Sequence, residues 1–215
     1  RSAHNPCSKA LLVACDTPGM LELDEYADMW YIHKTRYDYA SCLPDNWKGD
    51  LRDMVDKDYN HPSVVMYSIG NEVSETAQPR GIRLTEEMTE YLHQLDNRPV
   101  TCGINIFFNF LSSMGFGVYS DKKAEQEAAK AERRKGAPAK KKAVGSEFFN
   151  NLAGLFGSEF MKFGATLHGS DVKTRDAFAK LDVAGYNYGE KRYVRDLKEY
   201  PDRVILGSET FCADA

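Results

Sequence analysis

Five short apolar runs, each closed by polar residues, constrain the fold of this chain more than any other feature. The runs are MLEL, VVMYSIG, VTCGI, DVAGY and RVILGS, which begin at residues 20, 64, 100, 182 and 203. Stretches with helical spacing of apolar residues precede or separate them, at 7–16, 47–59, 84–95 and 192–200. Strands and helices that alternate with short connections are typical of parallel β/α architecture, so we expect one parallel sheet with packed helices.

Polar side chains follow each run at the point where the predicted strand ends. The carboxyl ends of parallel strands lie at one edge of a sheet, so we expect these side chains to converge in space. Two of them, Glu72 and Glu209, are carboxylates on separate strands, and a pair about 5 Å apart can divide glycosidic-bond cleavage between an acid and a nucleophile. The full set, in chain order, is Asp24-Glu25, Asn71-Glu72, Asn105, Asn187-Tyr188 and Glu209.

Each of these polar residues also has a structural interpretation. Asn71 or Glu72 can cap the next helix, because side-chain acceptors bind the unpaired N–H groups at a helix N terminus. Asp24 and Glu25 can form ion pairs with nearby basic residues, and His4 alone is more typical of a structural histidine. The coincidence of two carboxylates at the ends of two strands therefore carries more weight than any single residue.

The composition limits which binding partners and which cellular compartment can be expected for the protein. The 28 basic and 32 acidic residues leave a net charge of −4, which favours neither nucleic acid nor an anionic membrane surface as a partner. No run of about 18 apolar residues and no charged-then-apolar leader is present, so we expect no membrane segment. The five cysteines are odd in number and lack metal-ligand spacing, which predicts free thiols and a cytoplasmic location.

The connection between the third and fourth predicted strands is much longer than one crossover helix requires. We interpret residues at about 106–175 as an insertion that lies outside the strands. Its charge-rich part, 121–143, is typical of a solvated helix followed by a Gly-Ala-Pro hinge. Residues 146–163 return to helical spacing with a broad apolar face, which predicts one crossover helix packed on the sheet.

Several motifs, in order, resemble those of glycoside hydrolase family 2, which contains β-galactosidases, β-glucuronidases and β-mannosidases. The most specific is DMVDKDYNHPSVVMYSIGNEVSE at 53–75. RSAHNP resembles the end of the second barrel strand, CDTPGMLELDEYADMW the next helix and third strand, and VILGSET the seventh strand. The resemblance implies an α/β fold: a partial (β/α)8 TIM barrel that lacks the first and last strands, with residues 1–215 as a fragment of the catalytic barrel.

The resemblance also implies roles for individual residues. Glu72 matches the general acid/base, and Glu209 matches the nucleophile. Asn71 matches the residue that binds the substrate 2-hydroxyl, and Tyr188 matches a tyrosine beside the nucleophile. The substrate-binding residues implied in this way are His4, Asp24, Asn71 and Tyr188.

The function implied is that of a retaining exo-β-glycosidase, with β-galactosidase as the first expectation. A β-glucuronidase, a β-mannosidase and a truncated, non-catalytic carbohydrate-binding remnant remain alternatives. The expected partners are a β-galactoside substrate and the family's N-terminal sugar-binding and immunoglobulin-like domains, with homo-oligomerisation left open. No organic cofactor is implied, and a divalent or monovalent cation in the full-length enzyme is left open.

Overall fold

A computed structural model describes residues 1–120 and 144–211 of the chain. Five parallel strands form one sheet in which neighbours in sequence are also neighbours in space. This confirms the predicted α/β fold and the parallel order of the strands. The strands are β1 Glu22–Glu25, β2 Val64–Asn71, β3 Val100–Asn105, β4 Val183–Asn187 and β5 Val204–Glu209.

Helices connect successive strands, as the alternating pattern predicts. Short 3-10 turns at Tyr39–Ser41, Ser74–Ala77 and Glu190–Arg192 lie within these connections. In the described part of the chain the α-helices are α1 Lys9–Asp16, α2 Leu43–Asp58, α3 Pro79–Leu95, α4 Ile106–Ser113, α5 Gly145–Phe156, α6 Ser158–Ala165, α7 His168–Val172, α8 Arg175–Phe178 and α9 Tyr193–Glu199.

The hydrophobic core lies between the strands and the apolar faces of these helices. Leu51 of α2 and Met88 of α3 are fully buried in one cluster with Tyr67 and Ile69 of β2. Burying a side chain of this size contributes roughly 1.5–3 kcal/mol, so this packing holds the helices against the sheet. None of the helices described is long and apolar enough to cross a membrane.

The crossover segment differs from its prediction. Instead of one helix over 146–163, two helices meet at Gly157, whose φ of 84° is open to glycine but strained for other residues. The backbone of Gly157 is not helical, so the helical spacing of apolar residues is interrupted there. Phe149 and Met161 are buried, whereas Leu155 is 74% exposed, so the predicted core face is only partly core. The predicted charged helix at 121–143 lies outside the described residues.

Cys7, Cys15, Cys42 and Cys102 are free thiols, whereas Cys212 lies outside the described residues.

Two register shifts at the carboxyl ends of the strands position the site. Between β2 and β3 the register changes between Ser68 and Asn71, and between β4 and β5 it changes between Tyr186 and Asn187. Side chains alternate along a regular strand, so residues three apart would point to opposite faces. The irregularity in β2 instead brings Asn71 to the face that carries Ser68.

Candidate active site

The guanidinium of Arg1 joins the carboxyl ends of three strands. Its Nη2 donates to Glu25 Oε2 at 2.8 Å and to Asn71 Oδ1 at 2.7 Å, at the ends of β1 and β2. Its Nη1 donates to Glu209 Oε1 at 2.9 Å, at the end of β5. The predicted convergence of polar residues at the carboxyl edge of the sheet is thus confirmed.

Glu209 is held from both sides and remains accessible. Its Oε2 accepts a hydrogen bond from the Tyr188 hydroxyl at 2.8 Å, while Arg1 holds Oε1. The Glu209 side chain is 23% exposed, so a ligand can reach it. Burial and the neighbouring Glu209 raise the pKa of Tyr188, which therefore stays protonated as a donor at neutral pH.

Glu72 directly follows β2 and is almost completely buried. Its backbone N–H donates to Gly103 O at 2.7 Å, and its Oε1 accepts from Asn105 Nδ2 at 2.6 Å. In the described residues, positive φ outside glycine occurs at Glu72 (46°) and Tyr188 (58°). Strained backbone of this kind persists only where surrounding contacts hold it, and it is frequent at functional sites. The backbone therefore supports a functional role for Glu72 and Tyr188 independently of their side chains.

Asn71 lies at the centre of a network of amides. Its Oδ1 accepts from Arg1 and, at 3.0 Å, from Asn187 Nδ2. Its Nδ2 donates to Asp28 Oδ1 at 3.1 Å. Gly103 makes room for this network, because a Cβ there would lie 3.1 Å from Asn71 Oδ1 and 3.0 Å from Arg1 Nη2.

His4 reaches the same cluster from the segment before α1. Its Nδ1 bonds Glu25 Oε1 at 2.8 Å, and its Nε2 lies 4.0 Å from Glu209 Oε1. The hydrogen bond with Glu25 raises the pKa of His4, although partial burial acts in the opposite direction. The structure therefore brings together four of the residues implied by the resemblance: His4, Asn71, Tyr188 and Glu209. Glu72 follows β2 at the same edge of the sheet, and its charge contributes to the raised pKa of Tyr188.

Asp24 requires a correction, because it does not join this cluster. Its side chain is fully buried, and its Oδ2 accepts from Lys57 Nζ of α2 at 2.7 Å. Its Oδ1 accepts from the Cys7 N–H at 2.8 Å. Adjacent residues of a strand point to opposite faces, so Glu25 faces the cluster and Asp24 faces the helices.

Beside Asp24, Lys57 also contacts Asp58. Burial is the main reason why the pKa of Asp58 rises to about 7. This group of charges lies away from the candidate site and acts on stability.

Sequence reasoning missed the central position of Arg1 and an ion pair between Asp28 and Lys34. It placed Glu25 among the strand-end residues expected to converge but assigned the binding role to Asp24. For Glu25 a signal existed, since one of two adjacent strand-end carboxylates must face the site. Nothing in the sequence around Arg1 indicates that one side chain bonds three strand ends.

A narrow groove runs along Glu72. Its walls come from the segment after β1, the turn after β2 and the segment around α4. The lining residues are Ile32, His33, Lys34, Glu72, Ser74, Glu75, Phe108, Gly117, Val118 and Tyr119. Within residues 1–120 and 144–211, no three His, Cys, Asp or Glu side chains are grouped to hold a metal ion.

The strands of this parallel sheet pair in chain order, without the reversal of a doubly wound sheet, and carboxylates and amides gather at their carboxyl edge. These features together are typical of the β/α barrel class, with a site for a polar ligand. Comparison with known families makes this specific. The glycosyl hydrolases family 2, TIM barrel domain, matches residues 1–158. The chain belongs to this family.

Relatives carry more than one activity in their names. The chain is 48% identical over 75 residues to the β-galactosidase BoGH2A of Bacteroides ovatus, covering 35% of this chain and 9% of that protein. It is 34% identical over 80 residues to a putative β-glucuronidase of Formosa agariphila, covering 37% of this chain and 8% of that protein. The chain thus spans about a tenth of the length of these curated relatives.

A solved structure covers more of the chain. The crystal structure of a glycosyl hydrolase family 2 member from Bacteroides cellulosilyticus superposes with a TM-score of 0.65 and 33% identity. The match covers 97% of this chain and 19% of that protein.

Proposed function

We propose that the chain is the central part of the catalytic barrel of a longer retaining exo-β-glycosidase that hydrolyses terminal β-galactosides. The observation that carries the proposal is that Arg1 and Tyr188 both bond Glu209, at the edge where Glu72 directly follows another strand. The 48% identity to a protein named as a β-galactosidase supports the choice of sugar. In this proposal residues at about 106–175 form an insertion outside the strands.

In the first step Glu209 attacks the anomeric carbon. A bond forms between a Glu209 carboxylate oxygen and C1 while the bond from C1 to the leaving oxygen breaks. Glu72 gives its proton to that oxygen, and the leaving alcohol departs neutral. Arg1 and Tyr188 keep the Glu209 carboxylate oriented towards C1, because their hydrogen bonds restrict its rotation.

In the second step Glu72, now a carboxylate, takes a proton from water. The water oxygen bonds to C1 from the face that the leaving group left, and Glu209 departs as a carboxylate. Two inversions retain the anomeric configuration. The Asn105 amide bonded to Glu72 Oε1 holds the acid/base through both steps.

Labelling of the nucleophile tests the assignment of Glu209. The complete protein that carries this chain is incubated with a 2-fluoro-galactosyl fluoride, and the modified peptide is mapped by mass spectrometry. We expect the label on Glu209 and no label in a Glu209→Gln variant. A retaining mechanism also requires about 5–5.5 Å between the carboxyl groups of Glu72 and Glu209, which a crystal structure of the complete protein would measure. A label elsewhere, or product of inverted configuration, would refute the mechanism.

Leaving-group dependence tests Glu72. In Glu72→Gln, galactosides with poor leaving groups should lose far more kcat/KM than dinitrophenyl galactoside, because only the former need a proton. Adding azide should restore turnover of the activated substrate and yield a β-galactosyl azide. Equal losses on both substrates would remove Glu72 from the acid role.

A second candidate function is β-glucuronidase, favoured by the relative of that name. Parallel assays with nitrophenyl β-galactoside and nitrophenyl β-glucuronide separate the two. A larger kcat/KM for the glucuronide would replace the proposed sugar and leave the two-carboxylate mechanism in place.

A further inference from the structure

The wall of the site contains an ion pair that none of the roles above uses. Lys34 Nζ donates to Asp28 Oδ1 at 2.7 Å and to the backbone oxygen of Asn71 at 3.1 Å. The Lys34 side chain is 16% exposed and that of Asp28 is 30% exposed. The pair is therefore held in place on the protein side and faces solvent on the other.

This pair is directly connected to the candidate sugar site. Asp28 Oδ1 also accepts from the Asn71 amide, whose oxygen is bonded by Arg1. Lys34 also lines the groove along Glu72. A pyranose ring positioned between the two candidate carboxylates therefore lies within reach of this wall.

The two cations at this site already have carboxylate partners. Arg1 is paired with Glu25 and Glu209. Lys34 is paired with Asp28. A sugar carboxylate entering here would have to displace Asp28 from Lys34 or lie beside it as a like charge, and both cost free energy in a partly buried site. Neutral hydroxyl groups can instead donate to the exposed side of the Asp28 carboxylate.

We propose that the Asp28 carboxylate, by pairing with the Lys34 ammonium, competes with the carboxylate of a uronic acid for this cation. The pair therefore selects neutral pyranosides over uronic acids. The inference rests on the proposed function, because it takes the edge of the sheet as the sugar site. It assigns the specificity to two residues between β1 and α2.

Binding of two matched ligands tests the selection without requiring turnover. Isofagomine and uronic isofagomine, both in the galacto configuration of the proposed substrate, share one ring and differ by a hydroxymethyl group or a carboxylate. Their affinities are measured by calorimetry on the complete protein and on variants D28N, K34Q and D28N/K34Q. Asparagine at 28 can still accept the bond from Asn71, so D28N removes the charge while keeping the contact.

The three variants should move the preference in different directions. The wild type should bind isofagomine more tightly, and D28N should shift the ratio of affinities towards the uronic ligand by about tenfold, or ~1.4 kcal/mol. K34Q should shift it the other way, since Asp28 then repels a carboxylate without compensation. The double variant should lose the gain of D28N, because the free ammonium is gone.

The outcomes separate this inference from the proposed function. A D28N ratio within about twofold of the wild type, or a wild type that prefers the uronic ligand, would overturn the inference, since tenfold selectivity is well above that scatter. No binding of either ligand would overturn it as well. A wild type that binds with the expected preference but hydrolyses no nitrophenyl glycoside would support the inference and refute the proposed reaction.

Discussion

Replacing Tyr188 with phenylalanine removes one hydroxyl group and keeps the ring. That hydroxyl donates to Glu209 Oε2 at 2.8 Å. The ring lies 5.2 Å from that of Phe149 and 4.6 Å from that of Phe211, centroid to centroid, and phenylalanine preserves both contacts. We therefore expect Y188F to fold normally and to lose one hydrogen bond to the proposed nucleophile.

The size of the effect follows from the exposure of Glu209. A hydrogen bond to a charged group contributes about 1.5–3 kcal/mol. The Glu209 side chain is 23% exposed, so water can replace part of the bond and the loss should lie near the lower value. Because about 1.4 kcal/mol is a factor of ten in rate, kcat should fall about tenfold. Arg1 continues to hold Oε1, which limits the loss.

The fall in kcat should arise in the second chemical step, in which water hydrolyses the glycosyl-enzyme. Negative charge returns to Glu209 as it leaves C1, and a donor beside it stabilises that transition state. The assay is the steady-state and burst kinetics of dinitrophenyl β-galactoside, whose good leaving group makes hydrolysis of the intermediate limiting. We expect a lower kcat together with a burst that exceeds that of the wild type.

Y186F is the matched control. The Tyr186 hydroxyl donates to buried Asp196 at 2.7 Å, on the helix side of the sheet. This variant should lose about 1–3 kcal/mol of stability, because a buried acceptor loses a partner, while kcat stays unchanged. The reasoning would be refuted if Y188F kept kcat within about twofold of the wild type, or if Y186F lost as much kcat as Y188F.

Three further variants test charge and space near the strands. Burial makes the folded state bind the Asp58 proton more tightly than the unfolded state does, so the free energy of unfolding of the wild type should rise as pH falls from about 7 towards 3.8. Asp58→Asn should raise the free energy of unfolding at pH 8 and remove most of this pH dependence. Urea unfolding at several pH values measures both effects. His4→Gln should remove a stability contribution that is complete below pH 6.5 and lost as pH rises through the raised pKa of His4; the same titration would contradict this if both proteins changed in parallel. Gly103→Ala should cost more free energy in kcat/KM than in unfolding, because the new Cβ would lie 3.0 Å from Arg1 Nη2 and displace that side chain. An unchanged kcat/KM would contradict the close contact between Gly103 and Arg1.

The order and direction of the strands could be predicted from the sequence by itself. VVMYSIG and VTCGIN coincide with β2 and β3 to within one residue, because apolar runs and helical spacing record local periodicity. The gathering of Asn71, Glu72 and Glu209 at one edge follows from parallel topology, which needs no coordinates. The motifs that resemble the family can also be recognised in the sequence, and the match over residues 1–158 confirms those that lie within this range.

Only the tertiary structure decided which side chains face the site. Asp24 and Glu25 are equivalent in sequence, yet one bonds Lys57 of α2 and the other bonds Arg1. Asn71 shares a face with Ser68 only because β2 shifts its register against β3. Side-chain direction depends on register and on hydrogen bonds between residues far apart in the chain, and these are set when strands pair, not by local composition.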